Sequence, residues 1–155
     1  MTNKIMPYSI KTAQWQTDCA SLAYIREQVF MREQHVSAED EWDGKDEGAI
    51  HFLVCDPLGN ALGCARILTE LHHTKPCFHI GRVAILKEYR AQGLGQQLMQ
   101  TMIAWCQQHQ PAAAIFLHAQ TERIAFYRHL GFAPKGEVFM DAGIPHIEMW
   151  YRIAN

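Results

Sequence analysis

The chain has 155 residues, 48% of them apolar and 19% charged, with 14 basic against 16 acidic side chains and a net charge of −2. That content supports a buried core and one domain over residues 1–155. It excludes a disordered chain, collagen, a coiled coil and a generic basic nucleic-acid-binding domain.

No stretch approaches the ~18 uninterrupted apolar residues of a membrane span. Met1 to Pro7 lacks the apolar run of a signal peptide. Five cysteines, Cys19, Cys55, Cys64, Cys77 and Cys106, are widely spaced and form no Cys-x-x-Cys pair. They read as reduced thiols of a cytoplasmic protein. The histidines, His72-His73 included, show no ligand spacing with cysteines or carboxylates, so no metal is expected.

Tyr8 to Trp15 reads as a first strand. Asp18 is a candidate N-cap for a helix over Cys19–Met31, where Leu22, Ile25, Val29 and Phe30 recur at helical spacing. The acidic stretch Glu39 to Glu47 is too polar for a strand and reads as a loop with room for a helical turn. Ala49 to Asp56 is apolar and ends at the turn signature Asp56-Pro57-Leu58-Gly59-Asn60. Ala61 to Leu71 is its hairpin partner, and Phe78 to Ile85 is a third consecutive strand.

A long amphipathic helix is predicted from Gly93 to His109, with Leu94, Leu98, Met102, Trp105 and Cys106 on one side and Pro111 barring its extension. Ala113 to His118 is an almost wholly apolar central strand. A second helix runs from Thr121 to Leu130, with Gly131 suited to the position that ends it. Strands over Ala133–Phe139 and Ile147–Arg152 close the chain. The order predicts an α/β fold, a mixed sheet with flanking helices.

The turn Arg90-Ala91-Gln92-Gly93-Leu94-Gly95 lies between a strand and a helix. Its glycines allow close backbone approach to a ligand, and the helix start offers free N–H groups and a positive dipole end to an anion. Arg90 and Lys87 add charge, which together makes a cradle for a diphosphate. A Walker loop would need Gly-Lys-Ser/Thr, but Gln96-Gln97 follow Gly95. A Rossmann turn would need a third glycine where Leu98 stands, and would follow the first strand. The plain alternative is a helix start with glycines used only for the turn.

These residues resemble the GNAT superfamily of N-acetyltransferases, whose acetyl-CoA signature Arg/Gln-x-x-Gly-x-Gly/Ala is matched by Arg90 to Gly95. Gly81-Arg82-Val83-Ala84-Ile85 looks like the family's fourth strand, and Ala125 to Phe132 like its closing helix and turn. The element order matches as well. Val29 to Gln34, Glu39 to Asp43, His118-Ala119-Gln120 and Gly143-Ile144-Pro145-His146 are similar to the ElaA/YjcF-like branch.

The resemblance implies acetyl transfer from acetyl-CoA to a primary amine by direct attack in a ternary complex, with no metal. It implies that backbone N–H groups of Gln92, Gly93, Leu94 and Gly95 hold the diphosphate beside Arg90. The pantetheine arm would pair with the backbone of Val83, Ala84 and Ile85, with Gln120 a further contact for the cofactor. Tyr127 stands where the family often has a general acid toward the CoA sulfur; its plain reading is a core tyrosine with a partnered hydroxyl. His79 stands where several members carry a glutamate base, and Glu33, His118, His146 and Glu148 are rivals. Glu41 and Trp42, in the acidic stretch, are candidates to orient a cationic acceptor, or else part of a solvated loop. The acceptor would be a small molecule or a peptide, with no nucleic-acid or membrane partner, and pairing of two copies is a family-level expectation. The other reading is a non-catalytic CoA-sensing or protein-interaction module on the same fold; use of a different acyl-CoA is a third.

Overall fold

The computed structural model describes residues 7–152. Strand β1 (Ser9–Ala13) leads into helix α1 (Trp15–Arg26), which continues without a break as a π-helical turn over Glu27–Glu33. The helix begins one turn earlier than the N-cap reading of Asp18 predicts. Gln14 holds the cap position, and its N–H donates to the Asp18 carboxylate at 3.0 Å. Asp18 therefore satisfies an orphan donor from inside the first turn, as an acid near a helix N-terminus can.

The acidic stretch forms the short helix α2 (Ala38–Glu41), capped by Ser37, whose hydroxyl accepts from the Asp40 N–H at 3.1 Å. Strands β2 (Ile50–Cys55), β3 (Ala61–His72) and β4 (Lys75–Ile85) follow as an antiparallel meander. Helix α3 (Leu94–His109), β5 (Ala114–Gln120), α4 (Ile124–His129), β6 (Phe132–Asp141) and β7 (Ile144–Tyr151) complete the chain. The predicted order holds. The helix expected from Thr121 opens as a 3-10 turn over Thr121–Arg123, without a side-chain cap. Gly131 ends α4 at φ 106°, a left-handed conformation that disfavours a side chain.

The seven strands stand in the order β1-β2-β3-β4-β5-β7-β6. Every neighbour pair is antiparallel except β4 with β5. On one face α3 and α4 cover Phe52, Ile67, Phe78, Ile80, Leu117 and Met149, closed by Leu98, Met99 and Met102. On the other face α1 buries Leu22, Ile25 and Val29 against Leu53, Cys55, Cys64 and Ala84. Helices α1 and α3 thus use the apolar stripe their 3.6-residue period creates.

Two irregularities in β4 shape the centre of the sheet. Pairing with β3 slips between Cys64 and Arg66, and Arg82 takes φ 52°, which marks a β-bulge. Pairing with parallel β5 covers Cys77–Ile80 alone. Beyond Ile80 the two strands part, and the β5-facing edge of residues 81–85 is left without a strand neighbour.

Candidate active site

The split between β4 and β5 opens into a cleft of about 1020 Å³. Its rim is the turn between β4 and α3, where Ala91 and Gly93 take φ 63° and 81°. Left-handed backbone at Gly93 turns the chain into α3 and leaves successive N–H groups facing outward. Among the described residues, the N–H groups of Gln92, Gly93, Leu94 and Gly95 meet no acceptor. Gly93, Leu94 and Gly95 line the cleft, as do Val83, Ala84 and Ile85 on the free edge of β4. The Gln92 side chain lies off the cleft, where it accepts from Tyr8 at 3.2 Å.

Arg90 has a role that the charge pattern does not reveal. Its guanidinium donates to both oxygens of Glu33, at 2.6 and 2.8 Å, and its Nε donates to the Ile85 carbonyl at 2.8 Å. It ties the turn to the π-helical segment instead of offering free charge to a diphosphate. Arg123 lines the same cleft and forms no ion pair among the described residues. Gln120 also lines the cleft, and its amide donates to Gln34 at 2.9 Å. The π-helical turn supplies Glu33, and the residue that caps it supplies Gln34. Such turns recur at functional sites, and only the geometry makes this one visible.

Tyr127 projects from α4 into the cleft, and its hydroxyl makes no hydrogen bond to a described residue. Burial pushes the phenol up to about 12. Across the cleft, His79 of β4 stacks on Phe116 of β5 at 4.3 Å. Its Nδ1 donates to Glu70 Oε1 at 2.7 Å. Burial holds the imidazole below its usual range, despite the opposing pull of Glu70, so the ring is neutral near pH 7. Sequence reasoning missed Glu70. The β3–β4 register sets Leu68 opposite His79, which places Glu70 two residues along on the same face.

His118 and His146 also line the cleft. His118 Nε2 lies 3.5 Å from Glu148. Burial raises the Glu148 carboxyl, but Trp150 and His118 outweigh it and hold the group below its usual range. His146 is turned to the Ile144 carbonyl, 2.7 Å away.

Of the two residues expected to orient an acceptor, Glu41 lines the cleft and Trp42 does not. Glu41 is 2% exposed, with its carboxylate 2.6 Å from Arg26 and 3.2 Å from Arg82. Its charge is neutralised inside the fold. Trp42 lies off the cleft over the Arg26 guanidinium, 4.8 Å from ring centroid to Cζ. Asp43 and Asp46 bind Arg66, and Asp46 also meets Arg26 at 2.6 Å. Glu41, Asp43 and Asp46 therefore serve as counter-charge for three arginines, Arg26, Arg66 and Arg82, while Glu39, Asp40 and Glu47 of the same stretch stay exposed. Burial opposes ionisation of Asp43, yet the Arg66 guanidinium keeps its carboxyl far below the usual range.

The family described as "Acetyltransferase (GNAT) domain" matches residues 17–153, and the chain belongs to it. Escherichia coli ElaA is 35% identical over 130 residues, covering 83% of this chain and 84% of that protein. The Bacillus subtilis N-acetyltransferase YjcF, itself uncharacterised, is 33% identical over 127 residues, covering 81% and 86%. The crystal structure of E. coli ElaA superposes with a TM-score of 0.82 at 30% identity, over 93% of this chain and 99% of that one. That of an acyl-CoA N-acyltransferase from Pseudomonas aeruginosa gives 0.82 at 27% identity, over 94% and 99%. The similarity to the ElaA/YjcF-like branch and the fold are as the sequence predicts. No helix among the described residues is long and apolar enough to cross a membrane, and no group of metal-ligating side chains occurs among them.

Proposed function

We propose that the protein transfers an acetyl group from acetyl-CoA to a primary amine by direct attack in a ternary complex. The observation that carries this is one cleft lined by an amide-rich turn, an unpaired strand edge, a neutral imidazole and an unpartnered phenol. The related Pseudomonas protein, named for acyl-CoA chemistry, supports the choice of donor.

The N–H groups of residues 92–95 receive the diphosphate at the positive end of α3. The edge of Val83, Ala84 and Ile85 pairs with the amides of the pantetheine arm as a strand would. His79 Nε2 takes a proton from the attacking amine, directly or through one water. The C–N bond then forms as the C–S bond breaks. Tyr127 donates a hydrogen bond to the departing sulfur. Its phenol, at about 12, is a weaker acid than a thiol near ~8.5, so it stabilises the thiolate and solvent supplies the final proton. The imidazolium returns its proton to solvent.

Direct attack agrees with the thiols. No described cysteine lines the cleft, and burial pushes Cys64 and Cys106 up to about 12.

Thiol release from acetyl-CoA is measured with polyamines, aminoglycosides, amino acids and peptides as acceptors. Saturable turnover is expected, with KM for acetyl-CoA in the ~1 μM–1 mM range. Firm binding of acetyl-CoA with no turnover across the panel would replace this reading with a CoA-sensing module.

A further inference from the structure

The geometry points to Glu70 as a positioning residue that fixes the tautomer of His79 and leaves Nε2 as the proton acceptor facing the cleft. This rests on the proposed acetyl transfer and adds a group to its machinery. A carboxylate only accepts hydrogen bonds, so Nδ1 of His79, 2.7 Å from Glu70 Oε1, must carry the hydrogen. The neutral ring then has its lone pair on Nε2.

The ring is held from the sides as well. It stacks on Phe116 at 4.3 Å, with interplanar angle 23°, and meets the edge of His118 at 4.7 Å. Its plane is thereby fixed, and Glu70 decides which nitrogen faces outward. The charged and titratable groups that act on His79 are Glu70 and Arg66 from β3 and His118 from β5. His118 is in turn 3.5 Å from Glu148 of β7, and His72 reaches the second Glu70 oxygen at 3.8 Å. Glu70 is the near anion among these, so it raises the basicity of a ring that burial makes weak.

Glu70 is about one-third exposed, so Glu70→Gln leaves the fold intact, with an unchanged Tm as the control. Glutamine can donate as well as accept, so it no longer dictates the tautomer. The test is ring nitrogen NMR of the 15N-histidine-labelled full chain, with His79→Gln assigning the signal, beside the pH profile of kcat. The wild-type ring is expected to show hydrogen on Nδ1. Glu70→Gln is expected to lower the ring's titration midpoint and the acid limb of kcat together, by about 0.5–1 unit. It also lowers kcat about 10-fold or more, since a mixed tautomer misplaces the lone pair. Glu70→Asp returns part of both. A wild-type ring with hydrogen on Nε2, or a Glu70→Gln variant whose ring titrates as before, overturns the inference. A ring titration that moves while the acid limb stays overturns the assignment of His79 as base and leaves Glu70's hold on the ring standing.

Discussion

Arg90 and Glu33 are 57 residues apart in the chain, yet their side chains meet through two hydrogen bonds of 2.6 and 2.8 Å. The pair fastens the amide-rich turn to the π-helical segment across the mouth of the cleft. Its partners are 29% and 35% exposed, so it adds about 0.2–1 kcal/mol to stability at most. Its effect is on shape. Arg90→Ala and Glu33→Gln should each weaken acetyl-CoA binding several-fold, read by calorimetry, while Tm moves by no more than a few degrees.

The same pair sets a pH expectation. Hydrogen bonding from Arg90 holds the Glu33 carboxyl below its usual range. A carboxylate with a depressed folded value stabilises above its unfolded value, near ~4.3, and releases only as pH falls through the lower one. Acetyl-CoA affinity should therefore show no step from Glu33 between about pH 5 and 8. A loss of affinity in that window that disappears in Glu33→Gln would count against the pair's role.

Tyr127→Phe removes a hydroxyl with no partner among the described residues, so stability should hold. We expect kcat to fall about 10²-fold with the KM for acetyl-CoA little changed, the pattern of an interaction made mainly in the transition state. Because the phenol stays protonated until about 12, no basic limb in the rate profile of the wild type below about pH 10 should be traceable to it. Steady-state kinetics of both proteins decide this.

The two signature glycines should respond differently to alanine. Gly93 sits at φ 81° in open space, so its cost is backbone strain of about 1–2 kcal/mol and a displaced row of donors. At Gly95 a Cβ would lie 3.6 Å from Phe126, an ordinary contact. Gly93→Ala should lose most acetyl-CoA affinity; Gly95→Ala should keep it. Calorimetric titration of both variants gives the answer.

Arg26 is 1% exposed and bridges Glu41 and Asp46, so Arg26→Leu strands buried carboxylates. Breaking such a pair costs about 3–5 kcal/mol. Urea denaturation should show the loss in the midpoint. The π-helical turn that follows Arg26 places Glu33 and Gln34, so acetyl-CoA binding should weaken in parallel.

Much of this was legible in advance because local chemistry and tertiary placement agree. Pro111 and the stripe from Leu94 to Cys106 mark α3, and Gly93 marks the turn before it. What stayed hidden depends on partners distant in sequence. The π-helical turn carries no composition signal of its own. The bulge at Arg82 follows from the β3–β4 pairing, as does the need for glycine at 63 opposite Ile85, where a Cβ would sit 2.5 Å from Ile85 Cδ1 and 2.9 Å from the Ala84 carbonyl. The ion pairs of Glu41, Asp43 and Asp46 were hidden because their arginines come from α1, β3 and β4. Glu70 escaped notice because a hairpin register, not a sequence spacing, brings it to His79.

The parting of β4 from β5 makes the sheet two leaves joined at one corner, where Cys77–Ile80 meet Ala114–Leu117. Under the proposed function, a cofactor arm with its own amide groups would act as a spline in that gap, and occupancy would be felt as rigidity. By mass action, ligand at 100 times its Kd adds about 2.7 kcal/mol to folding. Those amide hydrogens of 83–85 that face the gap, and not β3, would then exchange slowly in the filled protein and quickly in the empty one. Substrate supply and the lifetime of the folded chain become linked quantities.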